Sequence, residues 1–500
     1  MGAAPILPGF HPDPSICRAG EDYYLINSSF EYFPGVPIFT SRDLLTWRQI
    51  GNVLDRESQL NVSPGITGAG KGIYAPTIRF HDGRFWMATT NITDVVKGHL
   101  IVHAEDPAGP WSDPVYTSGA IGWDPDLSWD EEGQCHLAWA DPRGGIAHAT
   151  VDPVTGQLLS ATELIWQGTG LSSPEGPHLF QRNGWWYLLV AEGGTGPGHA
   201  VTIGRARSIT GPYEAHPEGP LLTHRSTSHP VQNTGHADLV ELIDGSWAMV
   251  YLGVRPRGEF PRFHVNGRET FLAGVDWADE WPVVVPDRYQ EPRPATSFVD
   301  YFGAPELHSR WISPGVPPIS FCRFDGSGGV TLTSGRRPDD REAKNLLAVR
   351  ARDAEWQVNV EAPAGDLSLI VRIDDAHWAG VERRGDVLSA RAVIGPMDQT
   401  LASKNGIPVG VPLAVRAVGN PQQHGVRTGP DRVELGYLQD GFTVLAAIDG
   451  RYLSTEVAGG FTGRVIGVEA LTGQARVDRF EYSAAASEPA AIPDFSEVQP

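Results

Sequence analysis

The chain of 500 residues is longer than one hydrophobic core usually supports, so its length predicts at least two domains. Hydrophobic residues make up 41% and charged residues 20%, the balance of a folded globular protein and not of a disordered chain. Since 39 Lys and Arg face 60 Asp and Glu, the formal net charge of −21 argues against nucleic acid and anionic membranes as partners and leaves neutral ligands open.

The amino-terminal residues Met1–Pro5 contain neither a basic region nor an apolar core, and no run in the chain approaches 18 apolar residues. This pattern predicts no secretion signal, no membrane span and a cytoplasmic location. The three cysteines, Cys17, Cys135 and Cys322, are too few and too scattered to predict a disulfide framework or a zinc site.

Five segments of the first three hundred residues share one pattern: a small polar motif, a short apolar strand, a glycine turn and an aromatic-rich strand. They read DPSICRAGEDYYLIN from Asp13, APTIRFHDGRFWMAT from Ala75, DPDLSWDEEGQCHLAWA from Asp124, EGPHLFQRNGWWYLLVA from Glu175 and HADLVELIDGSWAMVYL from His236. Repeats of roughly 50 residues that each hold several strands are typical of propeller blades. The repeats therefore predict a five-bladed β-propeller over residues 1–293, with a β-sandwich whose segments match by coincidence as the alternative.

The repeat also predicts where side chains converge. The first strand of each propeller blade lines the central channel, so equivalent positions of different blades meet at the axis. Counting back from the turn glycine of each segment gives Asp13, Tyr74, Asp124, Glu175 and His236. Three carboxylates in one register indicate a catalytic site, whereas Asp-Pro turns that merely cap strands would explain Asp13 and Asp124 only one at a time.

A new pattern begins after the Pro-rich residues 291–294, Glu-Pro-Arg-Pro, which places a domain boundary between Gln290 and Ser297. Alternating stretches such as WQVNVEA and LSLIVRID, separated by Gly, Asp and Asn turns, predict an antiparallel β-sandwich over residues 298–483. Residues 484–500 are rich in Ala, Pro and acidic residues and predict a loose tail. The whole chain is thus predicted to be all-β.

Several ordered motifs resemble family 43 of the glycoside hydrolases. They are GFHPDPSICRAGEDYYLINSSFEYFPGVPIF, GIYAPTIRF, GWDPDLSWDEEG, EGPHLF, AEGGTG, GTGHADLV and GRETFLA. This family consists of five-bladed propellers that act on arabinose- and xylose-containing polysaccharides. The second domain resembles the C-terminal domain of the family's β-xylosidase and α-L-arabinofuranosidase branch.

The resemblance implies roles for the three carboxylates. Asp13 of HPDPS matches the family's general base, Glu175 of PEGPH its general acid, and Asp124 of GWDPD the aspartate that orients the acid and tunes its pKa. It also implies an inverting mechanism that needs no cofactor. An ionised Asp124 close to Glu175 is expected to raise the pKa of the acid by like-charge repulsion.

A substrate shell follows from the same resemblance. Arg268 of NGRET is similar to the arginine that reaches the terminal sugar, with a rim arginine paired to Glu269 as the alternative. The matching histidine of some members lies beside a calcium ion, so a Ca²⁺ near His236 competes with a purely structural histidine. The expected pocket walls are Phe30, Tyr74, Trp123 and, from the second domain, Phe461, although packing between blades would also explain Phe30 and Tyr74.

These features favour an exo-acting hydrolase that removes terminal α-L-arabinofuranosyl residues from a neutral oligosaccharide. No long insertion follows the second blade's inner hairpin, and the AEGGTG, GHADLV and YLGVRP motifs favour arabinose, with β-D-xylosidase or dual activity as the alternative. Retaining fructan and sucrose hydrolases carry Arg-Asp-Pro and Glu-Cys motifs, which are missing here. A non-catalytic carbohydrate-binding propeller would not require three phased carboxylates. The sequence leaves open whether the chain forms a homo-oligomer.

Overall fold

The computed structural model describes residues 4–60, 69–289, 295–324, 326, 328–335, 345–420 and 428–485. Within these residues the protein is almost entirely β, with a five-bladed propeller followed by a two-sheet sandwich, so the predicted fold class is confirmed. No helix in the described parts of the chain is long and apolar enough to cross a membrane.

Each blade is a four-stranded antiparallel sheet built from strands that follow one another in the sequence. Blade one contains β1 (Ser15–Ala19), β2 (Asp22–Ile26), β4 (Gly35–Ser41) and β5 (Arg48–Leu54), with the short strand β3 (Tyr32–Phe33) between β2 and β4. Blade two contains β6 (Thr77–His81), β7 (Arg84–Thr89), β8 (Leu100–Ala104) and β9 (Val115–Tyr116). Blade three contains β10 (Trp123–Trp129), β11 (Cys135–Ala140), β12 (Ile146–Thr150) and β13 (Glu163–Trp166). Blades four and five contain β14 (Glu175–Arg182), β15 (Trp185–Glu192), β16 (Ala200–Ala206), β17 (Glu214–Ala215), β18 (Gln232–Glu241), β19 (Trp247–Val254), β20 (Glu269–Ala278) and β21 (Trp281–Val285).

The sandwich packs two six-stranded sheets and a small third sheet around one apolar core. One sheet contains β22 (Phe298–Asp300), β37 (Arg479–Ala484), β27 (Trp356–Glu361), β32 (Leu413–Val418), β33 (Arg432–Leu438) and β34 (Phe442–Asp449). The other contains β26 (Leu347–Arg350), β35 (Val465–Ala470), β28 (Leu367–Asp374), β29 (His377–Arg384), β30 (Val387–Ile394) and β31 (Met397–Lys404). The third contains β24 (Cys322–Arg323), β25 (Val330–Thr333) and β36 (Gln474–Val477). One α-helix, α1 (Thr455–Ala458), and 3₁₀ helices at Ile92–Lys97, Pro286–Arg288, Pro318–Ser320 and Gly450–Leu453 complete the described structure.

Apolar layers between neighbouring blades hold the propeller together. Between blades two and three, for example, Trp86 packs with Leu127 and Leu137. The ring closes between the last blade and the first, where Val250 belongs to the same buried cluster as Leu25. Because each blade buries both of its faces against neighbours, its central strands are nearly continuous apolar runs, as in Trp247–Val254, where every residue is buried.

Polar side chains fill the central channel. One residue from the innermost strand of each blade belongs to this layer: Ser15, Thr77, Asp126, His178 and Asp238. The guanidinium of Arg79 lies at its centre, with Nη2 2.6 Å from Asp126 Oδ1 and Nη1 2.8 Å from Asp238 Oδ2. It also contacts His178 Nδ1 at 2.8 Å and Ser15 Oγ at 3.2 Å. A single arginine of blade two thus contacts each of the other four blades at the axis.

Replacing Arg79 with Met is expected to destabilise the protein strongly, because two buried carboxylates would lose their counter-charge. Breaking a buried ion pair in this way costs about 3–5 kcal/mol. The measurement is the free energy of unfolding in urea. The matched control is Arg42→Met, since Arg42 pairs with Asp22 at the surface with its side chain 73% exposed, and exposed pairs of this kind add little to stability. Equal effects of the two substitutions would contradict the structural role of Arg79.

The two domains share a substantial interface. Strand β3 of blade one pairs with β23 (Ser313–Pro314) of the second domain. Beside it, the buried Arg372 donates to Glu31 at 2.9 Å and to the Tyr32 hydroxyl at 3.0 Å. An apolar cluster joins the two sides: Phe10, Tyr32, Ile312, Leu346, Ala348, Ile370, Trp378 and Val465.

The predicted domain limits, 1–293, 298–483 and the tail 484–500, stay predictions. Residues 290–294 of the boundary and residues 486–500 of the tail lie outside the described residues. Limited proteolysis near residues 290–297 tests the boundary, although the shared interface protects neighbouring segments.

Candidate active site

In four blades, a residue in or just before the innermost strand lies in the left-handed region of backbone space. These residues are Asp13 (φ 53°), Asp124 (φ 56°), Gly176 (φ 57°) and His236 (φ 46°). Each precedes by two positions a member of the polar layer around Arg79. Left-handed backbone is uncommon for residues other than glycine and is over-represented at functional sites. The same conformation therefore recurs at one register relative to the polar layer in four of the five blades.

The structure refines the predicted register in one respect. Asp13, Asp124 and His236 occupy the left-handed position itself, whereas Glu175 lies one residue before its left-handed neighbour, Gly176. Counting from the turn glycine concealed this difference because the turns differ in length. Blade four turns through residues 183–184, but blade three turns through residues 130–134.

Asp13 is buried and held by three neighbours. Arg268 Nη1 donates to its Oδ1 at 2.9 Å, and the Ser28 hydroxyl donates to its Oδ2 at 2.5 Å. His236 Nδ1 lies 3.6 Å from the same Oδ1. Burial opposes ionisation, but Arg268, His236 and Ser28 outweigh it and hold the pKa of Asp13 below its ordinary value. Asp13 is therefore an ionised carboxylate.

Glu175 and Asp124 form a pair whose proton affinity is raised. Burial and then the negative charge of Asp13 raise the pKa of Glu175 to about 7, against opposing effects of Arg268 and a hydrogen bond from the Trp123 side chain. Burial, Glu175 and Asp13 raise the pKa of Asp124 well above its ordinary value. The sequence predicts that the charge of Asp124 raises the pKa of Glu175. In the structure the largest charge that raises this pKa is that of Asp13. Asp124 competes with Glu175 for a proton.

The glycine of the EGP motif allows a close approach of His236. A Cβ added to Gly176 would lie 2.7 Å from His236 Nε2, so no other residue fits there without displacing the imidazole. Burial lowers the pKa of His236 to about 4, with Asp13 opposing this shift. His236 is therefore neutral at neutral pH, and it packs between blade four and Asp13.

Aromatic rings form one side of the site. Phe30, Tyr74 and Phe461 contact one another, with ring centroids 6.0 Å apart for Phe30–Tyr74 and 5.9 Å apart for each ring with Phe461. The guanidinium carbon of Arg268 lies 5.2 Å from the ring centroid of Phe461 and 5.7 Å from that of Phe30. The structure therefore brings Phe461 of the sandwich to the channel mouth. We define these three rings as the aromatic wall.

Arg268 does not form the ion pair with Glu269 that was its alternative interpretation. Glu269 pairs instead with Arg255, whose Nε lies 2.6 Å from its Oε2. Arg268 donates to Asp13 and, at 3.1 Å, to the Thr195 hydroxyl. Trp123 lies beside Glu175 as a hydrogen-bond donor as well as a half-exposed ring.

Sequence reasoning missed three residues of the site: Ser28, Thr195 and His199. Thr195 lies in the AEGGTG motif that had been noted only as a resemblance. His199 is buried, its Nδ1 lies 3.0 Å from the Asn233 carbonyl, and burial lowers its pKa to about 4. No local pattern marks Ser28, because its role depends on the neighbouring strand and not on its own surroundings in sequence.

The axial residues do not fit a directly bound calcium ion. Calcium takes six to eight oxygen ligands, chiefly carboxylates and carbonyls. Here Asp126 and Asp238 are already paired with Arg79, and Asp13 with Arg268. Among the described residues no group of three or more His, Cys, Asp or Glu side chains is arranged to hold a metal.

The family profile described as glycosyl hydrolases family 43 matches residues 3–282, and that of the beta xylosidase C-terminal concanavalin A-like domain matches residues 299–483. The chain belongs to glycoside hydrolase family 43. Catalysis in family 43 needs no cofactor.

The named relatives in family 43 include both an arabinofuranosidase and a xylosidase. A xylosidase/arabinosidase of Butyrivibrio fibrisolvens is 47% identical over 56% of this chain and 56% of its own length, less than two thirds of that protein. A non-reducing end alpha-L-arabinofuranosidase of Bacteroides ovatus is 34% identical over 96% of this chain and 93% of its own. The solved xylan beta-1,4-xylosidase of Bacillus halodurans superposes with a TM-score of 0.83 at 30% identity, covering 97% of this chain and 100% of that one.

Proposed function

We propose that this family 43 enzyme is an inverting exo-glycosidase that releases terminal α-L-arabinofuranosyl residues from neutral oligosaccharides. The proposal rests on one observation: the site at the channel mouth holds an ionised carboxylate, Asp13, together with a carboxyl group that can stay protonated, Glu175. Phe461, from the second domain, covers one side of that mouth. A site walled in this way suits a chain end better than the middle of a polymer.

The proposed reaction displaces the leaving group in one step. Asp13 accepts a proton from a water molecule while the water oxygen bonds to the anomeric carbon. Glu175 donates its proton to the glycosidic oxygen as the bond from that oxygen to the anomeric carbon breaks. Inverting enzymes hold the two carboxyls about 6.5–9.5 Å apart to leave space for this water. The hydrogen bonds from Arg268 and Ser28 keep Asp13 ionised and oriented for its part.

Asp124→Asn is expected to move the alkaline limb of the pH–rate profile to lower pH. Glu175 must be protonated, so activity falls as pH rises through its pKa of about 7. Asp124 and Glu175 compete for a proton, so the last proton leaves the pair against the negative charge of the other carboxylate. A neutral group of equal size at Asp124 removes that repulsion, so the pKa of Glu175 falls. The acidic limb, which reports Asp13, should move less. The measurement is kcat/KM against pH, with thermal unfolding as the control for folding.

An unmoved alkaline limb in a folded Asp124→Asn protein would remove Asp124 from its tuning role and leave the roles of Asp13 and Glu175 in place. Asparagine tolerates the left-handed backbone of this position better than most residues, so the substitution isolates the charge.

The preference for arabinose rests on the Bacteroides ovatus relative, which matches nearly the whole of this chain, sandwich included. The sandwich supplies Phe461, so similarity through both domains bears on the pocket, whereas the Butyrivibrio match spans only part of the chain. A β-D-xylosidase is the second candidate, and the similarity to the Bacillus halodurans xylosidase favours it.

The test compares kcat/KM on 4-nitrophenyl α-L-arabinofuranoside and 4-nitrophenyl β-D-xylopyranoside, followed by release of pentose from arabinan, arabinoxylan and xylo-oligosaccharides. We expect the arabinofuranoside to be the better substrate and single pentoses to be the products. A higher kcat/KM on the xyloside would favour the second candidate. Release of internal oligosaccharides would contradict exo action.

A further inference from the structure

Phe461 lies in a loop of the sandwich that touches the propeller at both ends. We call residues 454–464 the Phe461 loop. Near its start Thr455 donates its backbone N–H to the His264 carbonyl at 3.4 Å, and at its end Arg464 donates its backbone N–H to the Val265 carbonyl at 3.0 Å. The propeller segment that receives both ends lies just before Arg268 in the sequence.

The two ends of the loop are held by different means. At the end, the buried Arg464 side chain binds Asp431 within the sandwich at 2.6 and 2.9 Å. A Cβ on Gly463 would lie 2.2 Å from the Asn266 carbonyl oxygen, so the backbones of the two domains touch there. This end is therefore fixed by a buried ion pair and by backbone packing.

At the start, Glu456 supplies a side-chain tie between the domains. Its carboxylate accepts the His264 backbone N–H at 3.0 Å through Oε2 and the imidazole Nδ1 at 2.5 Å through Oε1. Burial opposes ionisation of Glu456, yet its hydrogen bonds with His264 hold its pKa below the ordinary value. Hydrogen bonds to an ionised acceptor are about twice as strong as those between neutral groups.

Between these ends Phe461 packs against Phe30 and Tyr74 of the propeller. Gly459 and Gly460 precede it in left-handed conformations, with φ of 75° and 81°. A Cβ on Gly70 would lie 3.1 Å from the Gly460 Cα and 3.4 Å from the Phe461 ring, so the ring is seated against the propeller backbone. The glycines give the loop backbone freedom that its anchors must restrict.

We infer that Glu456 is a positioning residue, which fixes the Phe461 side of the aromatic wall through its bond to His264 and so sets the affinity for the terminal sugar. The inference rests on the proposed function, since it assigns the wall to the substrate pocket. Asp13 and Glu175 make no contact with Glu456, so its loss should leave the chemical step in place. A wall that touches substrate and transition state alike changes KM without changing kcat.

The test is a mutant cycle on the full chain. Glu456→Ala should raise KM about three- to tenfold at nearly constant kcat, and Phe461→Ala should raise it by about tenfold or more, the scale of one lost aromatic contact. The double variant should resemble Phe461→Ala alone, because Glu456 acts through that ring. Glu456→Gln, which keeps one acceptor oxygen, should recover part of the affinity.

The matched control is Glu361→Ala, since Glu361 pairs with Arg479 on the sandwich surface at 3.0 Å away from the loop. A second readout is independent of activity: hydrogen–deuterium exchange of backbone amides 459–463 should be faster in Glu456→Ala than in Glu361→Ala. Equal exchange, equal KM values, additive effects in the double variant, or a fall in kcat at constant KM would each overturn the inference. A wild-type enzyme without activity on pentosides would defeat the proposed function, while the exchange experiment would still decide whether Glu456 holds the loop.

Discussion

Glu175→Gln is expected to lower kcat on natural oligosaccharides by about 10²–10⁴-fold, the contribution of a positioned general acid. The glutamine keeps the size of the side chain and loses the proton that the glycosidic oxygen needs. Aryl glycosides with acidic leaving groups depart without protonation, so the loss should be much smaller on 2,4-dinitrophenyl glycosides. The measurement is kcat for a series of leaving groups of different pKa, in wild type and variant.

A steeper dependence of rate on leaving-group pKa in the variant supports the acid role. An equal loss of activity on good and poor leaving groups would refute it. The pH profile gives a second check, because the alkaline limb near pH 7 in the wild type reports Glu175 and should disappear with it.

Asp13→Asn is expected to cause a loss of similar size, about 10²–10⁴-fold, on every substrate regardless of its leaving group. The base acts on water and not on the leaving oxygen, so no choice of aglycone bypasses it. Asn accepts the left-handed backbone at this position and can still meet Ser28 and Arg268, although it removes the charge that Arg268 pairs with. The measurement is kcat/KM on the same leaving-group series.

The stereochemistry of the wild-type product tests the same assignment. If Asp13 activates water, the first sugar released has inverted configuration at the anomeric carbon, visible by proton NMR before mutarotation. Product formed early with retained configuration would show that a carboxylate attacks the sugar directly, and the role proposed for Asp13 would be wrong.

Much of the architecture could be predicted because it repeats. A glycine turn beside an aromatic strand is a local signal, and five copies in order define five blades. The carboxylates Asp13, Asp124 and Glu175 could be found by the same repetition, since the channel brings equivalent positions together. Asp126 and Asp238 recur two residues after Asp124 and His236, and this signal would have revealed the polar layer around Arg79.

Other features depend on contacts that no local pattern records. Ser28 reaches Asp13 through the pairing of the first two strands of blade one, and Thr195 reaches Arg268 only when blades four and five pack together. Trp123 was expected as a wall, but its bond to Glu175 follows from the way the strand enters the channel. The charge that most raises the pKa of Glu175 comes from Asp13, on another blade, and sequence spacing cannot rank such through-space effects.

Placing one ring of the aromatic wall on the second domain also bears on how substrate preference evolves in such enzymes. Residues 459–463 lie far in sequence from the carboxylates and share no hydrogen bond with Asp13 or Glu175. On the proposed function, a substitution there would reshape the sugar pocket and leave Asp13, Glu175 and the polar layer around Arg79 in place. On the proposed function, family 43 enzymes built on this plan could therefore diverge in sugar preference through substitutions in an appended domain.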